Sequence, residues 1–180
     1  HTEFKDSALG RIPKSWEVKE IGKLGDIVTG STPSTTNRDL YDGNYMFVSP
    51  ADISDGMFIS KTGKKLSLAG LNKTRKIPEK SVMVVCIGST IGKVAISTQE
   101  CASNQQINSI IPKENDAYFV YFAMKWMAHL IKKEAGTQAV PLINKTEFSN
   151  LFVPVPPRDE QKKRLNSHYL CTLPDRQDSS

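Results

Sequence analysis

The sequence predicts an α+β domain, and three observations predict it. Short alternating or valine-rich stretches between Trp16 and Pro112 carry the two-residue period of strands. From Asn115 the period changes to that of a helix, and acidic residues followed by basic ones mark a further helix after Pro157. Hydrophobic residues at 38% and charged residues at 24% of a 180-residue chain describe a folded globular protein with enough apolar content for a core.

Taken in order, Trp16-Glu17-Val18-Lys19 alternates after a turn at Pro13 and reads as a half-buried strand, and Asp26 to Gly30 reads as another. Residues 30–37, GSTPSTTN, form a small-polar surface loop. YMFVSP (45–50) is a third strand, stopped by Pro50. Residues 51–79 show no regular period apart from a helical turn near Ser67–Asn72. SVMVVCIG (81–88) is the strongest strand signal, a nearly continuous apolar run that suits a strand buried on both faces. GKVAIST (92–98) follows it as the second strand of a hairpin, with Gly88 and Gly92 at the shoulders of the loop and Ser89-Thr90-Ile91 at its tip. QQINSIIP (105–112) completes the sheet signal.

The helical period then takes over. Phe119, Phe122, Trp126 and Leu130, widened by Tyr118, Tyr121, Met127 and Ile131, predict a long amphipathic helix near residues 116–134, with Gly136 as the residue that ends it. His129, near Lys125, Lys132 and Lys133, reads as a surface histidine. NKTE (144–147) has the spacing of a capping box, so a short helix should precede the FVPVP strand. Pro156-Pro157 stops that strand; Asp159 and Glu160, then Lys162, Lys163 and Arg164, open a C-terminal helix that Pro174 limits to about three or four turns. The expected organisation is a globular domain over residues 1–157, with the start of a helix and an irregular tail over 158–180.

The net charge of +5 hides an asymmetry. Residues 1–55 carry six Lys/Arg and nine Asp/Glu, whereas residues 56–113 carry nine Lys/Arg against only Glu79 and Glu100. A polyanion-binding face produces such an imbalance, and a solvated lysine-rich surface is the plainer alternative. Cys86, Cys101 and Cys171 are odd in number and widely spaced; with only His1, His129 and His168 beside them, neither a disulfide framework nor a zinc site is supported. A reducing cytoplasm fits best, and the longest apolar stretch, Ala117–Ile131, is too short and too polar to span a bilayer.

Catalytic equipment is missing. GSTIGK (88–93) has three residues between its glycines where a phosphate loop has four, and Val94 stands where that loop needs a Mg²⁺-binding hydroxyl. Asp6 with Glu17-Val18-Lys19 matches a loose nuclease spacing, but Trp16 and Val18 already explain that strand as packing. No nucleophile elbow and no dinucleotide-binding glycine motif occurs. A binding protein without cofactor is expected, not an enzyme.

Six stretches in this order, LGRIPKSWEV (9–18), GDIVTGSTPS (25–34), IGSTIGKVAI (87–96), NQQINSI (104–110), GTQ with PLINKTEF (136–148) and VPVPPRDEQKKRL (153–165), resemble a target-recognition domain of the specificity subunit of type I restriction-modification systems. The resemblance implies a β-rich globular domain that reads one half of a split double-stranded DNA site. It implies no catalysis, and partners in the modification (methyltransferase) subunits and, through them, the restriction subunit. It further implies that the Pro-Pro step followed by Glu160-Gln161 launches a spacer helix, which packs with a second one as an antiparallel coiled coil. This chain departs from that pattern: it holds one recognition domain where a full subunit has two, and its spacer-type helix is truncated, losing regular heptads before Pro174. A half-subunit or one domain of a longer protein is expected, with at most weak self-association.

The residues expected to meet DNA are chosen by chemistry. Thr35, Asn37 and Arg38 offer a hydroxyl, an amide and a guanidinium suited to base edges. Lys73, Thr74, Arg75 and Lys76 form the densest cationic run, suited to phosphates. Ser89 and Thr90 with Lys93 occupy the hairpin tip, and Gln138 follows the long helix. Asn104 and Gln105 precede a strand, where their amides could equally tie down loops. The rival class is a module that ignores DNA and binds modification subunits through Asp159–Leu170. A single-strand or RNA binder would want aromatic residues among its cations, and residues 59–117 contain no Phe, Tyr or Trp.

Overall fold

The computed structural model describes residues 3–163. Twelve strands and four helices follow one another as β1 (Phe4–Ser7), β2 (Gly10–Pro13), β3 (Glu17–Glu20), β4 (Gly25–Thr29), β5 (Tyr41–Val48), β6 (Phe58–Ile59), β7 (Lys64–Leu66), α1 (Leu68–Asn72), β8 (Val82–Val85), β9 (Val94–Ser97), β10 (Ala102–Ser103), β11 (Ile107–Pro112), α2 (Ala117–Glu134), α3 (Lys145–Asn150), β12 (Phe152–Val155) and α4 (Arg158–Lys163). The class is α+β, as the sequence predicts.

The central sheet has five strands in the order β4-β11-β8-β9-β6, antiparallel except for the β9–β6 pair. Strand β8 explains its own sequence. Val82 and Val84 pack into one cluster with Val120, Met124 and Met127 of α2, whereas Met83 and Val85 pack into another with Met46 and Val48 of β5. Successive side chains of a strand point to opposite faces, so a strand covered on both sides is apolar throughout. A second sheet, β10-β5-β7, therefore lies across the first, and Phe47 on its far side packs with Leu66, Leu71 and Ala102. The layers run α2, five-stranded sheet, three-stranded sheet, α1.

Two small pairs complete the chain. Strands β1 and β2 form an antiparallel hairpin. Strand β12 pairs antiparallel with β3, which places Pro154 in a two-stranded ribbon, where a missing N–H is tolerated.

The helix signals were placed by their caps. The Asp116 side chain accepts from the backbone of Tyr118 and Phe119 at 2.9 and 3.2 Å and starts α2, and Gly136, at φ +77°, ends it. The Asn144 side chain accepts from the Glu147 backbone while the Glu147 carboxylate accepts from Asn144 N, both at 2.9 Å, closing the capping box of α3.

Three readings need correction. The expected stripe of α2 holds for Phe119, Tyr121, Trp126, Met127 and Ile131, which are buried together with Val120, Ala123 and Met124, but Phe122 and Leu130 are only half-buried and Tyr118 is exposed. Phe119, Tyr121 and Trp126 share one core cluster with Val82 and Val84 of the sheet, and only the residues at the margins of the stripe reach solvent. His129 is half-buried: its Nδ1 lies 2.8 Å from the Trp126 carbonyl oxygen, and its ring stands edge-on to the indole. The segment expected to be irregular holds β6 and β7, and the β1–β2 hairpin and β10 are additional. The expected helix after Pro157 is described as α4 to Lys163, and the rest of that expectation lies outside the described residues.

Candidate nucleic-acid interface

The sheet has two ends with different equipment. At one end β4 and β8 finish and β9 and β11 begin. Gly30 N donates to Ile107 O at 3.0 Å, Cys86 N to Gln106 O at 2.8 Å and Asn104 N to Val48 O at 3.0 Å, so the loops 30–38, 86–93 and 104–106 meet there. At the other end lie the N-terminus of α2, the start of β4 and α4. The residues expected to meet DNA belong to the first end.

Loop 30–38 is pinned at its root and free at its tip. A Cβ on Gly30 would lie 2.1 Å from the Asn104 carbonyl oxygen, so only glycine lets the chain pass. Pro33 is buried and its carbonyl accepts from Tyr41 Oη at 2.8 Å. Thr35, Asn37 and Arg38 are exposed beyond that anchor. The Asn37 side chain caps the short 3-10 turn Arg38–Leu40 by accepting from Asp39 N at 3.1 Å.

The cationic run reaches the same place. Arg75 donates from its guanidinium to Thr29 O at 2.9 Å and from its backbone to Ser31 Oγ at 3.3 Å. Lys73 and Lys76 on either side of it are exposed. Thr74 is half-buried, and its hydroxyl donates to Leu71 O at 2.7 Å, closing α1. Arg75 and Thr74 thus hold the segment in place while the two lysines point outward. Among the described residues, no Lys or Arg from Lys61 to Lys93 forms an ion pair; the pairs present are Lys14–Glu3, Lys19–Glu17 and Lys113–Asp26.

The hairpin 86–93 turns on Gly88 and Gly92, at φ +98° and +88°. Ser89 at its tip is exposed, and Thr90 is half-buried. Because the loop joins two antiparallel strands, it lacks the following helix that a phosphate loop requires. Lys93 is half-buried, with Nζ donating to Ile53 O at 3.3 Å, so its charge sits behind the tip. The segment after α2 packs along the hairpin: Gly88 N donates to Pro141 O and Ile143 N to Cys86 O, both at 2.9 Å. Gln138 is exposed on that segment, as are Val140 and Leu142.

Sequence reasoning left Asn104 and Gln105 open and passed over Gln106. These three amides brace the two loops. Gln105 Oε1 accepts from Thr32 Oγ1 at 2.8 Å, Asn104 Nδ2 donates to Gln106 Oε1 at 3.0 Å, and Gln106 Nε2 donates to Ile87 O at 3.4 Å. Beneath them Asn108 is buried and accepts from Thr29 Oγ1 at 2.6 Å. Burial pushes the neighbouring Cys86 thiol up to about 11, against the opposing effect of its hydrogen bond with Asn108, so it is no nucleophile at neutral pH. The only signal for these roles was the run of amides itself.

The result is a surface of hydroxyls, amides and cations without ion pairs on loops pinned at their roots. Among the described residues, no three His, Cys, Asp or Glu side chains gather to hold a metal ion, and Glu17 is paired with Lys19 at 2.7 Å. No helix of the described residues is long and apolar enough to cross a membrane.

Residues 13–166 match the family model described as the type I restriction modification DNA specificity domain, and the chain belongs to that family. It is 36% identical to the HindI specificity subunit of Haemophilus influenzae over 154 residues, covering 82% of this chain and 33% of that protein. It is 30% identical to the MjaIX specificity subunit of Methanocaldococcus jannaschii, covering 90% of this chain and 39% of the relative. The HsdS subunit from Thermoanaerobacter tengcongensis has the same fold at a TM-score of 0.71 and 17% identity, over 94% of this chain and 40% of that one. The S subunit from M. genitalium superposes at a TM-score of 0.63 and 18% identity, over 86% of this chain and 38% of that one. The chain therefore spans only a third to two-fifths of the length of these relatives.

Proposed function

We propose that this chain is a non-catalytic reader of double-stranded DNA, which recognises one half of a split site with the loops at one end of its central sheet. It serves as one recognition domain of a type I specificity subunit, in the cytoplasm, and directs modification and restriction subunits to that site. The observation that carries the reading is the convergence of loop 30–38, the run 73–76 and the hairpin 86–93 on one end of the sheet, with lysines free of ion pairs. Lys73 and Lys76 have the chemistry to hold phosphates without reading sequence, and Asn37, Arg38, Ser89 and Gln138 have the donors and acceptors to discriminate base edges.

The test is selection of bound duplexes from a random pool, followed by affinity measurement at several salt concentrations. A defined half-site should be enriched. With four to six cations at phosphates, log K should fall against log salt with a slope of roughly −4 to −5, at about −0.9 per contact. Failure to bind any duplex at low salt, or binding that ignores salt, overturns the reading.

A further inference from the structure

The far end of the sheet carries a feature that DNA reading does not use. Helix α4 exposes Arg158 and Lys162, yet Gln161 between them is 95% buried. All its functional atoms are engaged. Nε2 donates to Asn115 Oδ1 at 3.0 Å and to Pro156 O at 3.1 Å, and Oε1 accepts from Asp116 N at 3.0 Å. Asn115 extends the chain of bonds by donating from Nδ2 to Leu24 O at 3.1 Å. Next to it, Glu160 Oε1 accepts from the indole N–H of fully buried Trp16 at 3.2 Å.

We propose that Gln161, seated on Asn115 and Asp116, is a positioning residue that sets the direction in which α4 leaves the globular domain. A helix that follows two prolines is held to its domain by few backbone bonds, so its angle depends on side chains. Here one buried amide joins α4 to the capping residue of α2 and, through Asn115, to the turn that opens β4. Both partners belong to the layers that carry the reading loops at the opposite end. An amide also provides orientation that an apolar side chain would not, because its donor and acceptor sides must each face the right partner. The consequence, which rests on the DNA-reading proposal, is that the angle between the recognition surface and whatever the helix joins is fixed at this residue.

Pulsed electron paramagnetic resonance on the full chain tests this without DNA. Nitroxides are placed by Lys125→Cys on α2 and Lys162→Cys on α4, with Cys171→Ser as background, since Cys86 and Cys101 are buried. The parent should give one narrow distance distribution. Gln161→Ala, Gln161→Glu and Asn115→Ala should each broaden or displace it by about twofold or more in width, because each breaks the same network from a different side. Duplex affinity of the same variants should stay within about threefold of the parent, the two ends being far enough apart to act independently. A distribution in Gln161→Ala as narrow and as centred as the parent's overturns the proposal. Global unfolding of all three variants overturns it too, because Gln161 would then be a stability residue. If no variant and no parent binds DNA while the distance changes occur, the reading function fails and the positioning role stands.

Discussion

At the scale of single residues, the interface separates side chains that hold loops from side chains that are free to touch a ligand. Lys73 and Lys76 are exposed with unpaired charges, so Lys73→Ala and Lys76→Ala should weaken binding to every duplex alike and lower the salt slope by about 1 each. Arg38→Ala should instead change which duplex is preferred, since a guanidinium fork at a base edge is worth about 1–3 kcal/mol of discrimination. Asn37→Ala acts twice, because the same side chain caps the turn at Asp39 N, and should change preference with some loss of overall affinity. Competition between selected and scrambled duplexes measures both effects; equal losses on both sites for the Arg38 variant would place the reading elsewhere.

Buried thiols give a second check at this scale. Cys86 and Cys101 are pushed up to about 11 and about 12, in both cases mainly by burial, with the Glu100 charge adding to the effect at Cys101. In the unfolded chain both would ionise near their ordinary value of about 8.5–9. The folded form keeps its protons longer, so stability should be unaffected below about pH 8, decline as pH rises past 9, and continue to decline toward 11–12. Urea denaturation across that range, with Cys86→Ala and Cys101→Ala compared to the parent, measures the contribution.

At the scale of elements, the capping box of α3 should contribute measurably because it satisfies two backbone donors at the helix start, Asn144 N and Glu147 N. Asn144→Ala should lower stability by about 1 kcal/mol, read as a shift in the urea midpoint at unchanged slope. This helix was legible in the sequence for the same reason: its start is written in local chemistry, Asn144 and Glu147 three apart. The hairpin was legible too, from two glycines that the left-handed backbone at its shoulders requires. Strand β8 announced its double burial through an unbroken apolar run. Strands β6, β7 and β10, of two or three residues each, were not legible, because so short a segment carries no period and is held by long-range pairing. The stripe of α2 was legible in Phe119, Tyr121, Trp126, Met127 and Ile131, which are buried, whereas Tyr118, Phe122 and Leu130 lie at its margins, where side-chain size does not signal depth. The brace of Asn104, Gln105 and Gln106 depends on what Thr32 and Ile87 bring to it across the fold, and spacing along the chain does not encode that.

At the scale of the whole molecule, the loops proposed to read DNA and helix α4 lie at opposite ends of the central sheet. On the proposed reading, DNA on the loops leaves α4 unobstructed, because the five-stranded sheet lies between them. What remains is whether this chain alone assembles. The large hydrophobic residues exposed on the described part, Phe4, Phe58, Leu68, Tyr118, Val140, Leu142 and Phe152, include two local pairs, Phe58 with Tyr118 and Val140 with Leu142. The apolar positions after Gln161, namely Leu165, Tyr169, Leu170, Cys171 and Leu173, lie outside the described residues; by sequence they lack a sustained heptad before Pro174. Burying three or four such side chains contributes on the order of 1.5–3 kcal/mol each. Association costs roughly 4–15 kcal/mol in lost freedom, so little net affinity is left. The 180-residue chain should therefore be a monomer, or a dimer that dissociates at micromolar concentration, and adding two or three regular heptads after Lys163 should produce a tight dimer. Sedimentation equilibrium of both forms decides it: a tight dimer of the unextended chain would place the self-association surface on the globular domain.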